Sequence, residues 1–240
     1  MSKQSILKNN ETAGPVDLVI LSGQSNMGGY RSNLGKILPA RRACLGASIW
    51  HNKVWAPLEV GSGYQKYGAG PEVGFARAWT KTTGKPLHIV KVCKGGASIW
   101  REYHPHLPGR KFSELLRETS DALTSQPHRL VGLAWFQGEE DAKRFEWAEA
   151  YQQRFSEFLE SFRVKLGVCR LPVVCAELST TNPKFPYIAP VNAAFKAMKA
   201  ENVSMIKTAD FPKPDGVHFT YRGLFELGRR AANSLYQQQR

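Results

Sequence analysis

The feature that most constrains the fold is a regular alternation, along the chain, of short apolar runs and longer amphipathic segments. Apolar runs of this length indicate buried strands, and segments with apolar residues three or four apart indicate helices that cover them. The predicted strands span residues 17–22, 87–93, 130–136, 171–176 and 203–208, and the predicted helices span 70–83, 112–123, 141–166, 191–200 and 221–236. This order predicts an α/β fold, a three-layer α/β/α sandwich around a five-stranded parallel sheet.

A single domain accounts for this pattern. We expect it to span residues 15–240, after a flexible N-terminal segment at residues 1–14. Residues 47–60 interrupt the alternation and are expected to form a small hairpin or excursion. The pentapeptide Gly-Ala-Ser-Ile-Trp occurs twice, from Gly46 and from Gly96. The residues around the two copies differ, so we interpret the repetition as coincidence.

The apolar runs also bear on where the protein is found. None is long enough to span a bilayer, and the first fourteen residues lack the apolar stretch of a signal peptide. The sequence as written therefore predicts a cytoplasmic protein with no membrane contact, although an exported protein whose leader had been replaced would have the same features. Nothing in the sequence indicates how many subunits assemble.

A formal net charge of +13 raises the question of a nucleic-acid partner. The basic residues are spread along the chain as isolated pairs such as Arg41/Arg42 and Arg229/Arg230, with no basic arm or known binding motif. This spread disfavours nucleic acid and favours a generally basic surface. His104 and His106 lie in a Pro-rich polar stretch that is more typical of an exposed loop than of metal ligands. We expect no metal and no other cofactor.

Polar residues follow the predicted strands at the positions where ligands bind in open α/β sheets. They are Gln24, Ser25 and Asn26 after the first strand, Gly95 and Gly96 after the second, Gln137, Glu139 and Asp141 after the third, and Asp215 and His218 ahead of the last helix. Parallel strands place these four segments at one edge of the sheet. The sequence therefore predicts one cleft lined by all of them.

These residue types can carry nucleophilic catalysis. A serine is a weak nucleophile until a histidine takes its proton, and a carboxylate must hold that histidine in the correct tautomer. Ser25, His218 and Asp215 can fill these three roles. The backbone N–H groups of Ser25 and of Gly95 or Gly96, with the side-chain amide of Gln137, can stabilise a tetrahedral oxyanion. Gln24, Asn26, Glu139 and Asp141 are expected to support the site.

Each feature also has a structural interpretation. A Gly-x-Ser sequence after a strand is most often a turn, an Asp-x-x-His sequence often caps a helix, and Gln137 could be a buried amide that holds a loop. Joint placement at successive strand ends favours catalysis over these alternatives. A lipase-type nucleophile elbow is disfavoured because Met27 occupies the position of its second glycine. A metal-dependent deacetylase is a poor second candidate.

At these segments the sequence resembles the SGNH hydrolase superfamily, and within it the group of sialate O-acetylesterase-like proteins that includes the acetylxylan esterases of carbohydrate esterase family 6. The matching stretches, which extend from residue 16 to residue 223, are LSGQSNMGGY, GPEVGFARAW, KGGASIW, WFQGEEDA and DGVHFTYRG. The resemblance implies a flavodoxin-like fold and metal-independent hydrolysis of an O-acetyl ester by the residues named above. The wider superfamily has Asn where this chain has Gln137, whose side chain is longer by a methylene and carries the same amide donor. Glu139 and Asp141 match the group, and we expect them to hold the Gln137 loop and to cap the long helix.

The expected substrate is an acetylated carbohydrate, of the acetylxylan or the sialic-acid type. Aromatic and basic side chains in the loops are candidates for sugar contact: Tyr64, Tyr67, Trp100, Arg101, Phe185 and Tyr187. A basic rim would favour sugars that carry a carboxylate. The alternative is a carbohydrate-binding protein that has kept the fold without catalysis, which the complete set of Ser25, Asp215, His218 and Gln137 disfavours.

Overall fold

A computed structural model describes residues 14–32, 43–62, 68–107 and 110–240. All but the last residue of the predicted flexible segment at 1–14 lies outside these ranges. The elements are, in chain order, β1 (Val16–Gly23), α1 (Ser25–Gly28), β2 (Ala43–His51), β3 (Val54–Glu59), α2 (Glu72–Thr83), β4 (Leu87–Cys93), α3 (Lys111–Ser125), β5 (His128–Phe136), α4 (Phe145–Glu149), α5 (Tyr151–Leu166), β6 (Val173–Ala176), α6 (Ile188–Ala197), β7 (Val203–Ile206) and α7 (Tyr221–Gln237).

The sheet has seven strands in the order β3-β2-β4-β1-β5-β6-β7, so the predicted number of five is wrong. The two additional strands come largely from the segment that was expected to form a separate hairpin. It is a hairpin, because β2 and β3 are antiparallel, but β2 also pairs in parallel with β4, from Ala47 opposite Leu87 to Ile49 opposite Ile89. The hairpin thereby extends the sheet edge. The three-layer α/β architecture itself is confirmed.

The central strand shows why the strands read as continuous apolar runs. Leu18 and Ile20 of β1 point into a core formed with α3, α5 and α6, and Val19 and Leu21 point into a second core formed with α2 and α7. All four side chains are fully buried. A strand covered on both faces cannot alternate between apolar and polar residues, because neither face meets water.

The predicted helix at 141–166 is divided into three pieces. A 3₁₀ turn spans Asp141–Lys143, and α4 and α5 follow it. The backbone N–H of Tyr187 donates to the carbonyl oxygen of Ala142 at 3.0 Å, and Arg144 has extended dihedral angles, so the helical ladder cannot continue through this point. Phe145, the first residue of α4, is 47% exposed. No helix in the described ranges is long and apolar enough to cross a membrane.

Candidate active site

The nucleophile candidate lies on a tight turn between two strand ends. The backbone N–H of Gln24 donates to the carbonyl oxygen of Phe136 on β5, and the N–H of Lys94 after β4 donates to the carbonyl oxygen of Gly23. Gly23 has a φ of 150°, and a Cβ there would collide with the carbonyl of Phe136, so only glycine fits. Ser25 then begins α1, which leaves its N–H without an intrahelical acceptor.

The loop between β7 and α7 brings a histidine and a carboxylate to this serine. The ring atom Nε2 of His218 lies 3.1 Å from Oγ of Ser25, and Nδ1 lies 2.7 Å from Oδ2 of Asp215. The carbonyl oxygen of Gly216, within the same loop, accepts hydrogen bonds from the backbone and the hydroxyl of the Thr180–Thr181 segment. The structure thus brings the three residues together in the order that catalysis requires: Ser25 can give its proton to His218, and Asp215 holds the imidazole in place.

The surroundings of Asp215 keep it ionised. Partial burial alone would raise its pKa, but hydrogen bonds from the His218 ring and from the backbone N–H groups of His218 and Val217 outweigh burial and hold the pKa well below its usual range. The guanidinium of Arg31 also contacts Oδ2 of Asp215 at 2.8 Å. Tyr30 packs against the His218 ring at 4.7 Å between ring centroids. Asp215 is therefore a fixed negative charge behind the imidazole.

Asn26 ties the serine turn to the histidine loop. Its Oδ1 accepts from the backbone N–H of Phe219 at 3.1 Å, and its Nδ2 donates to the carbonyl oxygen of Val217 at 3.2 Å. Nδ2 also lies 3.3 Å from Oε1 of Glu139, whose pKa burial raises. One side chain therefore holds the backbone on both sides of His218, which gives the predicted supporting residues Asn26 and Glu139 a geometric role.

A pocket of about 490 Å³ opens over the serine. Residues from five loops form its wall: Gln24, Ser25, Tyr30, Arg31, Gly95, Gly96, Glu140, Lys143, Asn182, Lys184, Phe185, Asp215, Val217 and His218. The backbone N–H groups of Gly95 and Gly96 make no backbone hydrogen bond in the described part of the chain. They lie at the pocket wall with the N–H of Ser25, where an oxyanion would need donors.

Gln137 occupies a different position from the one its expected role requires. It is 1% exposed and does not line the pocket; its Nε2 donates to the carbonyl oxygen of Ala97 at 2.9 Å and to Oδ2 of Asp141, and its Oε1 accepts from Tyr151 at 2.8 Å. Both amide hydrogens thus have protein acceptors. Donation to an oxyanion would require Gln137 to leave these partners.

Asp141 holds the Gln137 loop, as expected, but it does not cap the long helix. Its carboxylate accepts from the backbone N–H groups of Ile99 and Trp100, and burial raises its pKa to about 7. None of the three helical pieces after it has a side-chain cap. Asp141 therefore fastens the segment after β4 to the segment after β5.

The candidate sugar contacts are divided by the structure. Phe185 lines the pocket. Trp100 stacks on Trp147, and Arg101 reaches Glu140 of the pocket wall at 3.5 Å. Tyr187 packs on Phe145 and does not line the pocket. Tyr64 and Tyr67 lie outside the described residues.

Sequence reasoning missed several pocket residues: Tyr30, Arg31, Glu140, Lys143, Asn182 and Lys184. Arg31 reaches Asp215 from a left-handed backbone conformation with φ of 63°. No motif predicts that conformation for arginine. In the part of the chain with described coordinates, no three His, Cys, Asp or Glu side chains cluster as metal ligands would.

Comparison with known proteins places this geometry in a family context. Residues 15–237 match the family described as carbohydrate esterase, sialic acid-specific acetylesterase. A probable carbohydrate esterase of Arabidopsis thaliana is 27% identical over 243 residues, which cover 92% of this chain and 90% of the relative.

Solved structures share the fold. The Arabidopsis protein superposes with a TM-score of 0.79 at 23% identity, over 93% of this chain and 98% of that one. The structure of NanS gives 0.72 at 18% identity, over 95% and 100%. A carbohydrate acetylesterase from Xanthomonas citri gives 0.70 at 19% identity, over 91% of this chain and 55% of that one. A lipase/acylhydrolase from Enterococcus faecalis and the M. smegmatis aryl esterase share the same α/β layout, with TM-scores of 0.56 and 0.55.

Proposed function

This chain belongs to the sialic acid-specific acetylesterase family of carbohydrate esterases, and from that premise we propose that it removes O-acetyl groups from sugars with Ser25 as nucleophile. His218 acts as the base and Asp215 orients it. The observation that carries the proposal is the continuous contact from Ser25 Oγ to His218 Nε2 at 3.1 Å and from His218 Nδ1 to Asp215 Oδ2 at 2.7 Å, at the wall of an open pocket.

The proposed reaction has two halves. Ser25 Oγ attacks the acetyl carbonyl carbon while His218 Nε2 takes its proton, and the carbonyl electrons move to the oxygen. The intermediate then collapses, His218 returns the proton to the departing sugar oxygen, and an acetyl-serine remains. Water, deprotonated by His218, attacks the acetyl carbonyl of that ester. The second tetrahedral intermediate collapses, His218 returns the proton to Ser25 Oγ, and acetic acid leaves and ionises to acetate. Each half regenerates the neutral imidazole that the other needs.

Two backbone groups are proposed as oxyanion donors. The N–H of Ser25 has no intrahelical acceptor, and the N–H of Gly95 or Gly96 lies at the same pocket wall without a backbone partner in the described residues. A preorganised donor of this kind contributes about 3 kcal/mol to transition-state stabilisation in hydrolases. A substitution other than proline leaves the backbone N–H in place, so these two groups supply a base level of oxyanion stabilisation in such variants.

The proposed substrate is an acetylated sugar of the sialic-acid or the acetylxylan type. The sialic-acid type is supported by the family match and by three cationic side chains at the pocket, Arg31, Lys143 and Lys184. The acetylxylan type rests on the sequence resemblance alone. Phe185, with Trp100 at the neighbouring surface, is proposed as an apolar face for a pyranose ring.

The test compares the native protein with Ser25→Ala on p-nitrophenyl acetate, an O-acetylated sialic acid and acetylated xylan, with EDTA present throughout. Ser120→Ala, on α3, is the matched control because it removes a hydroxyl away from the pocket. We expect Ser25→Ala to lose activity on all substrates by about 10⁴-fold or more and Ser120→Ala to retain it.

The same assay separates the alternative function. A carbohydrate-binding protein without catalysis would bind the acetylated sugar with native Ser25 and release no acetate. Hydrolysis that persists in Ser25→Ala would remove the serine from its proposed role. Loss of activity with EDTA in the native protein would contradict a mechanism carried by the triad alone.

A further inference from the structure

The residue before the nucleophile has a side-chain amide whose orientation is fixed by backbone donors. Oε1 of Gln24 lies 3.4 Å from each of three nitrogens: the backbone N–H groups of Gly138 and Glu140 and the Nε2 of Gln137. Backbone N–H groups can only donate, so the atom that faces them must be the amide oxygen. The NH₂ group of Gln24 therefore points away from the 137–140 segment.

That NH₂ group is uncommitted. Gln24 is 4% exposed and lines the pocket beside Ser25, and its Nε2 makes no hydrogen bond to any described residue. It is also not among the buried polar atoms that lack both a partner and solvent contact. The nitrogen is thus accessible from the pocket. Gln137, in contrast, has both amide hydrogens bound to Ala97 and Asp141.

We propose that the side-chain amide of Gln24 donates a hydrogen bond to the oxyanion, as the third donor beside the backbone N–H groups of Ser25 and of Gly95 or Gly96. This role rests on the proposed esterase function. When Ser25 Oγ bonds to the carbonyl carbon, the carbonyl π electrons become a lone pair on the oxygen, and Gln24 N–H stabilises that charge while His218 holds the proton. Gln137 then acts as a positioning residue, which joins Asp141 to the carbonyl oxygen of Ala97 in the segment after β4.

The decisive variant is Gln24→Glu. A carboxylate oxygen can still accept from the backbone N–H groups of Gly138 and Glu140, so the contacts that hold the turn are preserved. The NH₂ group is replaced by a negatively charged oxygen, which repels an oxyanion. We expect kcat to fall by about 10² to 10³-fold, with KM changed only a few-fold and the melting temperature within a few degrees of the native value.

A second variant and a second readout guard against a folding defect. Gln24→Met keeps the side-chain length and removes the donor without adding charge, and we expect a loss in kcat of about 10²-fold. A boronic acid forms a tetrahedral adduct with an active serine. Its affinity should fall in the two variants by the same factors as kcat/KM, whereas a role confined to holding the turn would not make the two quantities track each other.

Each outcome decides the proposal. If folded Gln24→Glu and Gln24→Met retain kcat within about threefold, Gln24 is not an oxyanion donor. If kcat falls while boronic acid affinity stays native, Gln24 acts elsewhere in the cycle and the proposal is overturned. If the native protein shows no Ser25-dependent hydrolysis, the proposed function itself fails and the role of Gln24 fails with it. Ser25-dependent hydrolysis by the native protein therefore distinguishes the two failures: when it is present, only the role of Gln24 can fail.

Discussion

At the scale of single residues, the hydrogen bonds around Asp215 determine how the rate should depend on pH. They hold the pKa of Asp215 well below its usual range, so Asp215 stays ionised throughout the pH range in which an esterase is assayed. Uptake of a proton at His218 Nε2 is then what stops the proposed base. We expect log kcat/KM to fall on the acid side with a slope of one.

Asp215→Asn provides the contrast. An amide can donate to Nδ1 and thereby stabilise the wrong tautomer, so we expect a loss in kcat of about 10⁴-fold. A flat acid limb in the native protein would contradict His218 as the base. A slope of two would show that a second group must ionise, and Asp141, whose pKa burial raises to about 7, would then be the candidate.

Asn26 is a second residue-scale case, because it holds the backbone on both sides of His218. Asn26→Ala removes both contacts and leaves the Phe219 N–H and the Val217 carbonyl without these partners. We expect a loss of about 2 to 3 kcal/mol in the free energy of unfolding and a fall in kcat of about 10 to 100-fold. Asn192→Ala is the matched control, since Asn192 makes a similar pair of backbone contacts at Leu178. It should lose stability and keep kcat; an equal fall in kcat would show that Asn26 acts through stability alone.

The residues that the sequence could predict are those whose spacing carries the chemistry. Ser25, Asp215 and His218 follow strand ends that a parallel sheet must place at one edge, so their meeting is a consequence of topology. Gln137 follows a strand end as well, but the direction of its side chain depends on Tyr151, which donates to its Oε1, and on Asp141, which accepts from its Nε2. Arg31 depends on a left-handed backbone conformation that no local pattern indicates.

At the scale of elements, a buried ion pair joins α2 to β4 next to the serine turn. Nζ of Lys91 and Oε2 of Glu72 are 2.7 Å apart with both side chains fully buried, and Oε1 of Glu72 accepts from the backbone N–H of Gly70. A Cβ on Gly70 would come within 2.6 Å of both Lys91 Nζ and the Met27 carbonyl oxygen, so the pair lies against α1. The pair therefore packs against the segment that carries Ser25.

Removal of one partner should destabilise the protein strongly. Lys91→Met leaves Glu72 as an uncompensated buried charge, and we expect the free energy of unfolding in urea to fall by about 3 to 5 kcal/mol. Lys91→Met combined with Glu72→Leu removes both charges and should recover most of that loss. Lys85→Met, on the exposed residue before β4, should change stability by less than about 0.5 kcal/mol. A double variant as unstable as the single one would contradict a penalty that comes from the unpaired charge.

The two missed strands show where local sequence stops being informative. The same five residues, Gly-Ala-Ser-Ile-Trp, form part of β2 from Gly46 and a non-strand turn after β4 from Gly96. In the first copy β4 and β3 pair with the backbone; in the second, Asp141 and Glu102 bind the backbone N–H groups of Ser98, Ile99 and Trp100. Partners distant in sequence decide between the two structures. Strand β4 was predictable to the residue because its mostly apolar run has the length of a strand and is buried on both faces.

At the scale of the whole molecule, the net charge of +13 bears on the substrate through the pocket. Two of the three cations that line it are paired: Arg31 with Asp215 at 2.8 Å, and Lys143 with Glu140 at 2.6 Å. Lys184 is exposed and makes no ion pair with any described residue. It is thus the pocket cation that can meet a substrate carboxylate without first leaving another partner.

Lys184→Ala should therefore separate acidic from neutral substrates. An exposed ion pair contributes about 0.3 to 1 kcal/mol, so we expect KM for an O-acetylated sialic acid to rise about two- to fivefold, with kcat unchanged and the rate on p-nitrophenyl acetate unchanged. Lys165→Ala, near the end of α5 and outside the pocket, is the matched control for a general loss of positive charge. Added salt should raise KM for the acidic sugar in the native protein and in Lys165→Ala, and should raise it less in Lys184→Ala, because screening acts on an attraction that this variant has lost.

If Lys184→Ala and Lys165→Ala have the same effect, attraction comes from the summed field of the protein and no single rim residue recognises the carboxylate. If neither variant changes KM and added salt leaves KM unchanged, the pocket does not distinguish sugars by charge. The acetylxylan type then becomes the better supported substrate.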